Sequence, residues 1–396
     1  MVATNEKIDW RSWYIPTALI VFILSYFVID ITKFVNNIFY ASLLLPAIIL
    51  WSREIISYSA RYLGSWEALL LFWAVLSGIS TFWYEDYQLK YLKHIIYVIA
   101  FFLIVSWAIF RGWLDTEKLL YILLAGMLIY LLYAFVSTYY IQGKTFPLGR
   151  IEPLPARMSS SIYSSILLSS LLSSALVLLH RRKIQLIIQI GLITYALFFL
   201  YLMRSRSGFV VFLCGAVVLI ALYLYNQPGR LTKVLILGVI AAIIGIGLYE
   251  AGLFDSMIAR ADGYRLELWQ IVLTEYLQCG ALFGCGYGYD IKSLMADSTQ
   301  IYHPHNIVLA QILYTGLTGG IILVVCLAIA LYKAVQLKSP WGIYLICALA
   351  GLMFDGDKLV GNPDEMWLLI LLPMAVISGE YARTFRATVE THPSGS

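Results

Sequence analysis

The sequence predicts an all-α polytopic integral membrane protein. Of its 396 residues, 61% are hydrophobic and 13% charged, against roughly 45–50% and about 25% in a soluble domain. Apolar runs of about 20 residues, the length at which a helix crosses a bilayer, recur along the chain. The connections between them are mostly short, and on alternate sides they are basic.

In order, the runs lie at Tyr14–Thr32, Phe34–Trp51, Trp66–Trp83, His94–Phe110, Leu119–Tyr140, Ser161–Leu179, Ile184–Met203, Gly208–Tyr225, Val234–Glu250, Asn306–Tyr332, Trp341–Phe354 and Trp367–Tyr381. That makes about twelve crossings in a single membrane domain. The stretch 1–13 carries acids and lacks the basic region and small-residue cleavage site of a signal peptide, so the first helix is expected to be retained. An even number of crossings puts both termini on one side. Placing that side in the cytoplasm collects Arg53, Arg61, Arg111, Lys118, Arg181, Arg182, Lys183, Arg230, Lys233, Lys333 and Lys338 in inner loops, as the positive-inside rule requires. Residues 387–396 form a flexible cytoplasmic tail.

One outer connection is long: residues 251–304, between the ninth and tenth helices. Asp255–Gln278 has helical periodicity, with Ile258, Leu266, Trp269, Leu273 and Leu277 on one broad apolar face, which suggests one or two helices lying on the membrane. Phe283–Gly288 reads as a glycine-rich turn and Ile291–Ala296 as a short helix. Cys279 and Cys285 share this loop, where a disulfide and two separate thiols are both open. Cys214, Cys326 and Cys347 fall within helices as small core residues.

The candidate chemistry starts at His305 and Asn306, which open the tenth helix in a chain with only five histidines. An imidazole at a membrane boundary exchanges a proton near neutral pH, whereas a packing position needs only an aliphatic side chain. Pro304 extends His303 and places His305 in the first helical turn, where the helix dipole favours the neutral ring that a general base needs. Arginines gather on the same outer face. Arg204 and Arg206 close the seventh helix and open the eighth, Arg157 precedes the sixth, and Arg260 and Arg265 lie on the loop. Guanidinium groups suit phosphate or pyrophosphate; the plainer alternative is snorkelling to lipid headgroups or pairing with Asp262 or Glu267. His94 and His180 read as structural.

Gly316, Gly319 and Gly320 allow close helix packing in lipid. Asp355-Gly356-Asp357 matches the paired-acid motif of metal-dependent glycosyltransferases, but a single aspartate orienting His305 or a substrate hydroxyl fits better. No metal and no cofactor is expected. A phosphate-cradling nucleotide loop is missing from the sequence, and neither nucleotide nor nucleic acid is an expected partner.

These residues resemble the superfamily of O-antigen ligases and O-antigen polymerases. Its signature is His, then Asn, Ser or Gln, nine free residues, Gly, two free residues, then Gly, Thr or Tyr; His305-Asn306, Ile307–Thr315 and Gly316-Leu317-Thr318-Gly319 meet it in full. Ser205-Arg206 resembles the family's Ser-Arg pair at an outer helix end. Arg265-Leu266-Glu267-Leu268-Trp269 resembles its loop arginine and tryptophan, and Phe283–Gly288 its glycine-rich stretch. The resemblance implies a fold similar to the all-helical membrane glycosyltransferases of the C type, in the inner membrane of a Gram-negative bacterium. It implies transfer of O-antigen polysaccharide from undecaprenyl pyrophosphate to lipid A–core at the periplasmic face, with membrane lipids as surroundings. His305 would then be the base, with Arg206 and Arg265 on the pyrophosphate. Arg157, Arg204, His303, Asn306 and Asp357 are candidate substrate contacts.

The residues themselves are compatible with a metal-independent, inverting displacement: arginines stabilise the departing pyrophosphate while His305 takes the acceptor proton. A polymerase extending a second lipid-linked glycan would use the same donor, though the large loop before the histidine favours the ligase. A transporter for an anionic solute or a lipid-linked glycan is the rival of another class. It would show inverted repeats and midplane helix breaks rather than polar groups gathered at one face.

Overall fold

The computed structural model describes residues 10–146, 150–227, 265–295 and 300–391, with scattered positions between 229 and 250. Among these residues the secondary structure is helical, with one isolated antiparallel bridge between Leu294 and Gln300. Nine of the described helices are long and apolar enough to cross a membrane: α2 (Thr32–Tyr62), α3 (Ser65–Trp83), α4 (Lys90–Phe110), α5 (Thr116–Ile141), α6 (Ser161–Arg181), α7 (Leu186–Met203), α8 (Arg206–Tyr225), α10 (Ile307–Leu337) and α12 (Trp367–Ala387). Two shorter apolar helices are α1 (Arg11–Val28) and α11 (Pro340–Asp355), and α9 (Arg265–Cys279) belongs to the long loop. The chain is a polytopic membrane protein. The expected crossing Val234–Glu250 falls almost wholly outside the described residues, as do Arg230, Lys233, Ile258, Arg260, Asp262 and residues 392–396. The last helix continues to Thr391, past the point where a flexible tail was expected.

Helix α2 runs beyond its expected end at Trp51 because Ser52–Tyr62 keeps a buried side, Ile55 and Tyr58, while Arg53 and Arg61 stay exposed. Wider π-helical turns at Phe39–Leu44 and Ala47–Trp51 flank Pro46, whose missing N–H interrupts the regular ladder.

Helix α6 is the hub. It packs extensively on α8 and α11, and Ser161, Ser164, Ser165, Ser169, Ser170, Ser173 and Ser174 are buried along it. In lipid, small side chains let backbones approach and hydroxyls bond across helices. Ser165 Oγ bonds Ser205 Oγ at 2.6 Å, and Ser169 Oγ donates to the Gly208 carbonyl at 3.1 Å. This contact fixes the start of α8, and therefore of Arg206.

Helix α11 has 16 residues and rises about 24 Å, less than the ~30 Å hydrocarbon core. Its last residue, Asp355, is only 3% exposed.

Helix α10 is broken at Gly316, with φ 67° and ψ −171°. A Cβ there would lie 2.2 Å from the Leu282 carbonyl oxygen. Residues 281–286 insert into the break: Cys285 and Gly286 N–H donate to the Leu313 and Tyr314 carbonyls at 2.7 and 3.0 Å. In return, Leu317 and Thr318 N–H donate to the Ala281 and Leu282 carbonyls at 3.0 and 3.2 Å. Gly316 therefore serves a loop-to-helix junction, a correction to its expected role in helix–helix packing.

Candidate active site

Asp355 gathers side chains from three other parts of the chain. Arg265 Nη2 donates to both carboxylate oxygens at 2.9 and 2.8 Å, and its Nε donates to the Phe354 carbonyl at 2.8 Å. Ser207 Oγ donates to Oδ2, and His305 Nδ1 lies 3.3 Å from Oδ1. With one guanidinium nitrogen shared between both carboxylate oxygens and Nε on the neighbouring carbonyl, charge-assisted bonds fix the orientation of Arg265. With the proton on Nδ1 and donated to Asp355, the imidazole lone pair sits at Nε2, the arrangement a base requires. The His305 side chain is 37% exposed and so open to a substrate.

His305 itself is not in the first helical turn. It has φ 52°, and Asn306 is the N-cap of α10. Asn306 Oδ1 accepts from Val308 and Leu309 N–H at 3.0 and 2.9 Å, while Nδ2 donates to the Met353 carbonyl at 2.9 Å. The sequence pattern missed this because an asparagine cap satisfies the orphan N–H groups better than a proline-led start one residue earlier. The cap also ties α10 to α11 and sets the height of His305 beside Asp355.

Arg265 is held from both ends of its helix. Asp355 fixes the N-terminal end, and at the C-terminal end Cys279 is disulfide-bonded to Cys285, within the loop that fills the α10 break. The buried Glu275 carboxylate accepts from Lys292 N–H at 3.2 Å, Ser293 N–H at 2.6 Å and Tyr289 OH at 3.0 Å. Those bonds replace the short helix expected near Ile291: the described residues 291–295 contain none, because their N–H groups serve a carboxylate. On α9, Leu266, Leu273 and Leu277 are exposed, whereas Leu268, Val272 and Tyr276 are buried.

Arg206 and Arg265 line one cavity of about 310 Å³ together with Ser207, Val210, Trp269 and Phe354. Arg204 adopts φ 48° as the C-cap of α7, and Ser205 caps α8 by accepting from Gly208 N–H at 3.2 Å. The cavity thus joins two guanidinium groups to an apolar wall.

The His303 ring lies against that of His305, 3.9 Å between centroids and tilted by 41°. Burial lowers its imidazole pKa below the ordinary value of 6.5, against the opposing pull of Asp357. Among the described residues, His303 Nδ1, Asp357 Oδ1 and Arg157 Nε are buried without a hydrogen-bond partner. Arg157 pairs through Nη1 with Glu365 at 2.7 Å and lines a separate cavity of about 480 Å³ with Asp30, Tyr133 and Pro155. Burial works to lower the Lys358 ammonium, but Asp357, Tyr91 and Asp290 together outweigh it and raise it; Lys358 Nζ donates to Tyr91 OH at 3.2 Å.

Ser207 and Glu275 were not picked out by the sequence, and the expectation that a single aspartate orients His305 did not say which acid it is. The one available signal was the Asp355-Gly356-Asp357 pair, and of its two acids Asp355 is the one beside His305. No cluster of three or more His, Cys, Asp or Glu suited to a metal occurs among the described residues.

The O-antigen ligase family model matches residues 167–324. The chain is 28% identical over 151 residues to an O-antigen ligase of Pseudomonas aeruginosa, a match spanning 36% of this chain and 36% of that relative. Ser205-Arg206, Arg265, the glycine-rich loop and His305 all fall within the matched segment, whereas Arg157, Asp355 and Asp357 lie outside it. Residues 167–324 of the chain are thus similar to the O-antigen ligase family, and the match spans about a third of that relative's length.

Proposed function

We propose that this protein is an O-antigen ligase of a Gram-negative inner membrane, with both termini cytoplasmic and the site on the periplasmic face. The observation that carries the reading is the Asp355 cluster, in which one buried carboxylate orients His305 and Arg265 while Arg265 and Arg206 line a mostly apolar cavity. That cavity suits a pyrophosphate on an isoprenoid, because guanidinium forks meet the anion and Val210, Trp269 and Phe354 meet the chain.

In the proposed step, His305 Nε2 removes the proton from an acceptor sugar hydroxyl of lipid A–core. The oxygen attacks the anomeric carbon of the donor glycan, the carbon–oxygen bond to undecaprenyl pyrophosphate breaks, and its electron pair leaves on the pyrophosphate. Arg206 and the remaining Nη1 of Arg265 stabilise that charge. A single displacement inverts the anomeric carbon. Arg204, two residues before Arg206 at the end of α7, is assigned to the donor headgroup, and Asn306 acts through the seating of His305. The unpaired atoms of His303, Asp357 and Arg157 offer hydrogen bonds to acceptor sugars, since buried polar atoms left unpaired are costly until a ligand satisfies them.

The test is transfer by purified protein in EDTA, with undecaprenyl pyrophosphate-linked glycan as donor and lipid A–core as acceptor. Capped lipid A–core, inverted at the new bond and lost in His305→Ala, is the expected result. Longer lipid-linked glycan with uncapped core would make the protein a polymerase instead.

A further inference from the structure

We propose that the face opposite the candidate active site binds a dianionic phospholipid, its phosphates among Arg53, Arg61, Arg111 and Arg386 and an acyl chain in the groove between α2 and α4. Helix α4 starts beside the site, where Lys358 Nζ reaches Tyr91 OH at 3.2 Å. Its 21 residues rise about 30 Å, so Trp107 and Phe110 stand at the other membrane face. There the four arginines, with Glu54 and Trp107, line a cavity of about 490 Å³.

Aromatic faces position two of these cations. Arg111 lies over Trp113 at 5.1 Å and Arg386 over Phe110 at 5.6 Å. Four guanidinium groups lining one cavity suit a ligand with two phosphates better than a monoanion.

A second cavity makes the ligand a lipid. About 280 Å³ in volume, it is lined by Leu44, Ile48, Ile56, Ile99, Ala100 and Leu103. The two cavities adjoin on both helices: Ser52 and Ile55 of the groove alternate with Arg53 and Glu54 of the basic cavity, and Ile104 lies one turn from Trp107. From Leu44 to Ile56 the groove extends about 18 Å along the helix, comparable with the ~15 Å of one leaflet's hydrocarbon. Ile48, Ile56 and Ile96 are 53%, 66% and 57% exposed along it, so an acyl chain would cover apolar surface as its headgroup met the arginines. Basic pockets between helices at a membrane surface attract phosphate headgroups in this way.

The experiment uses the purified full-length chain in zwitterionic detergent, with melting temperature and native mass spectrometry as readouts. The ligands are diphosphatidylglycerol, phosphatidylethanolamine and inorganic pyrophosphate. Diphosphatidylglycerol is expected to raise the melting temperature by several degrees and to remain bound, while phosphatidylethanolamine does neither. At about fivefold per charge, Arg53→Gln with Arg61→Gln should weaken the dianionic lipid roughly thirtyfold. Ala100→Phe, which fills the groove, should weaken the lipid and leave any pyrophosphate effect unchanged. Undiminished lipid binding in both variants, or equal binding of phosphatidylethanolamine, overturns the proposal. A pyrophosphate effect abolished by the arginine variant, with lipid binding indifferent to Ala100→Phe, would reassign the cavity to a soluble anion.

Discussion

Asp355→Asn is the most informative single substitution. The carboxylate accepts two bonds from Arg265 at 2.9 and 2.8 Å, one from Ser207, and contacts His305 at 3.3 Å. An asparagine of nearly the same shape retains one acceptor and presents an amide donor to groups that are themselves donors. The Asp355 side chain is 4% exposed and that of Arg265 is 19%, so water replaces little of what is lost. Breaking one partner of a buried ion pair costs about 3–5 kcal/mol, and a clear fall in melting temperature is expected. An arginine released from its aim loses transition-state stabilisation worth roughly a hundred- to a thousandfold in rate; the unanchored imidazole adds to this. The assay is the initial rate of glycan transfer at saturating donor, with helix content checked by circular dichroism. A folded Asp355→Asn protein that transfers within about threefold of the parent would refute the reasoning, because preorganisation at this carboxylate could then contribute little.

Arg206→Lys should lose about a hundredfold in transfer while remaining folded, because a point charge would replace a planar fork on the proposed pyrophosphate; normal initial rates would remove Arg206 from the proposed donor site. Gly316→Ala places a Cβ 2.2 Å from the Leu282 carbonyl oxygen at φ 67°, so it should destabilise the protein by more than about 3 kcal/mol and expose the Cys285 and Gly286 amides to hydrogen exchange. Unchanged protection would show that the junction tolerates a side chain. Arg157→Lys keeps a cation opposite Glu365 but removes the unpaired Nε donor; a roughly tenfold rise in the acceptor KM at constant donor KM is expected, and an unchanged value would exclude an acceptor contact. His303 supplies the pH dependence. Burial depresses its folded pKa below the ordinary 6.5, so the folded state binds fewer protons than the unfolded one. Its contribution is therefore complete above about 6.5 and declines as pH falls toward the folded value. His303→Gln should flatten that part of the melting curve, and an identical acid limb in both proteins would contradict it.

The sequence by itself determined the all-helical membrane architecture. Membrane insertion is governed by local apolar length and flanking charge, which any window of the chain reveals. It also marked His305, Arg206 and Arg265, because polar groups at a helix mouth have no packing reason to be there. Only the tertiary structure chose Asp355 over Asp357, since a three-residue acid motif contains no information about which acid meets a residue fifty positions earlier. Likewise, Gly316 looked like a helix-packing residue until the loop at Ala281–Gly286 was seen to occupy its broken turn. The serines of α6 were visible in the sequence but their purpose was not: a hydroxyl bonds its own helix or a neighbouring one with equal ease. Hydrophobic pattern acts over one helix at a time, whereas the site is an agreement between four helix ends, and their meeting is decided by backbone approach and buried hydrogen bonds.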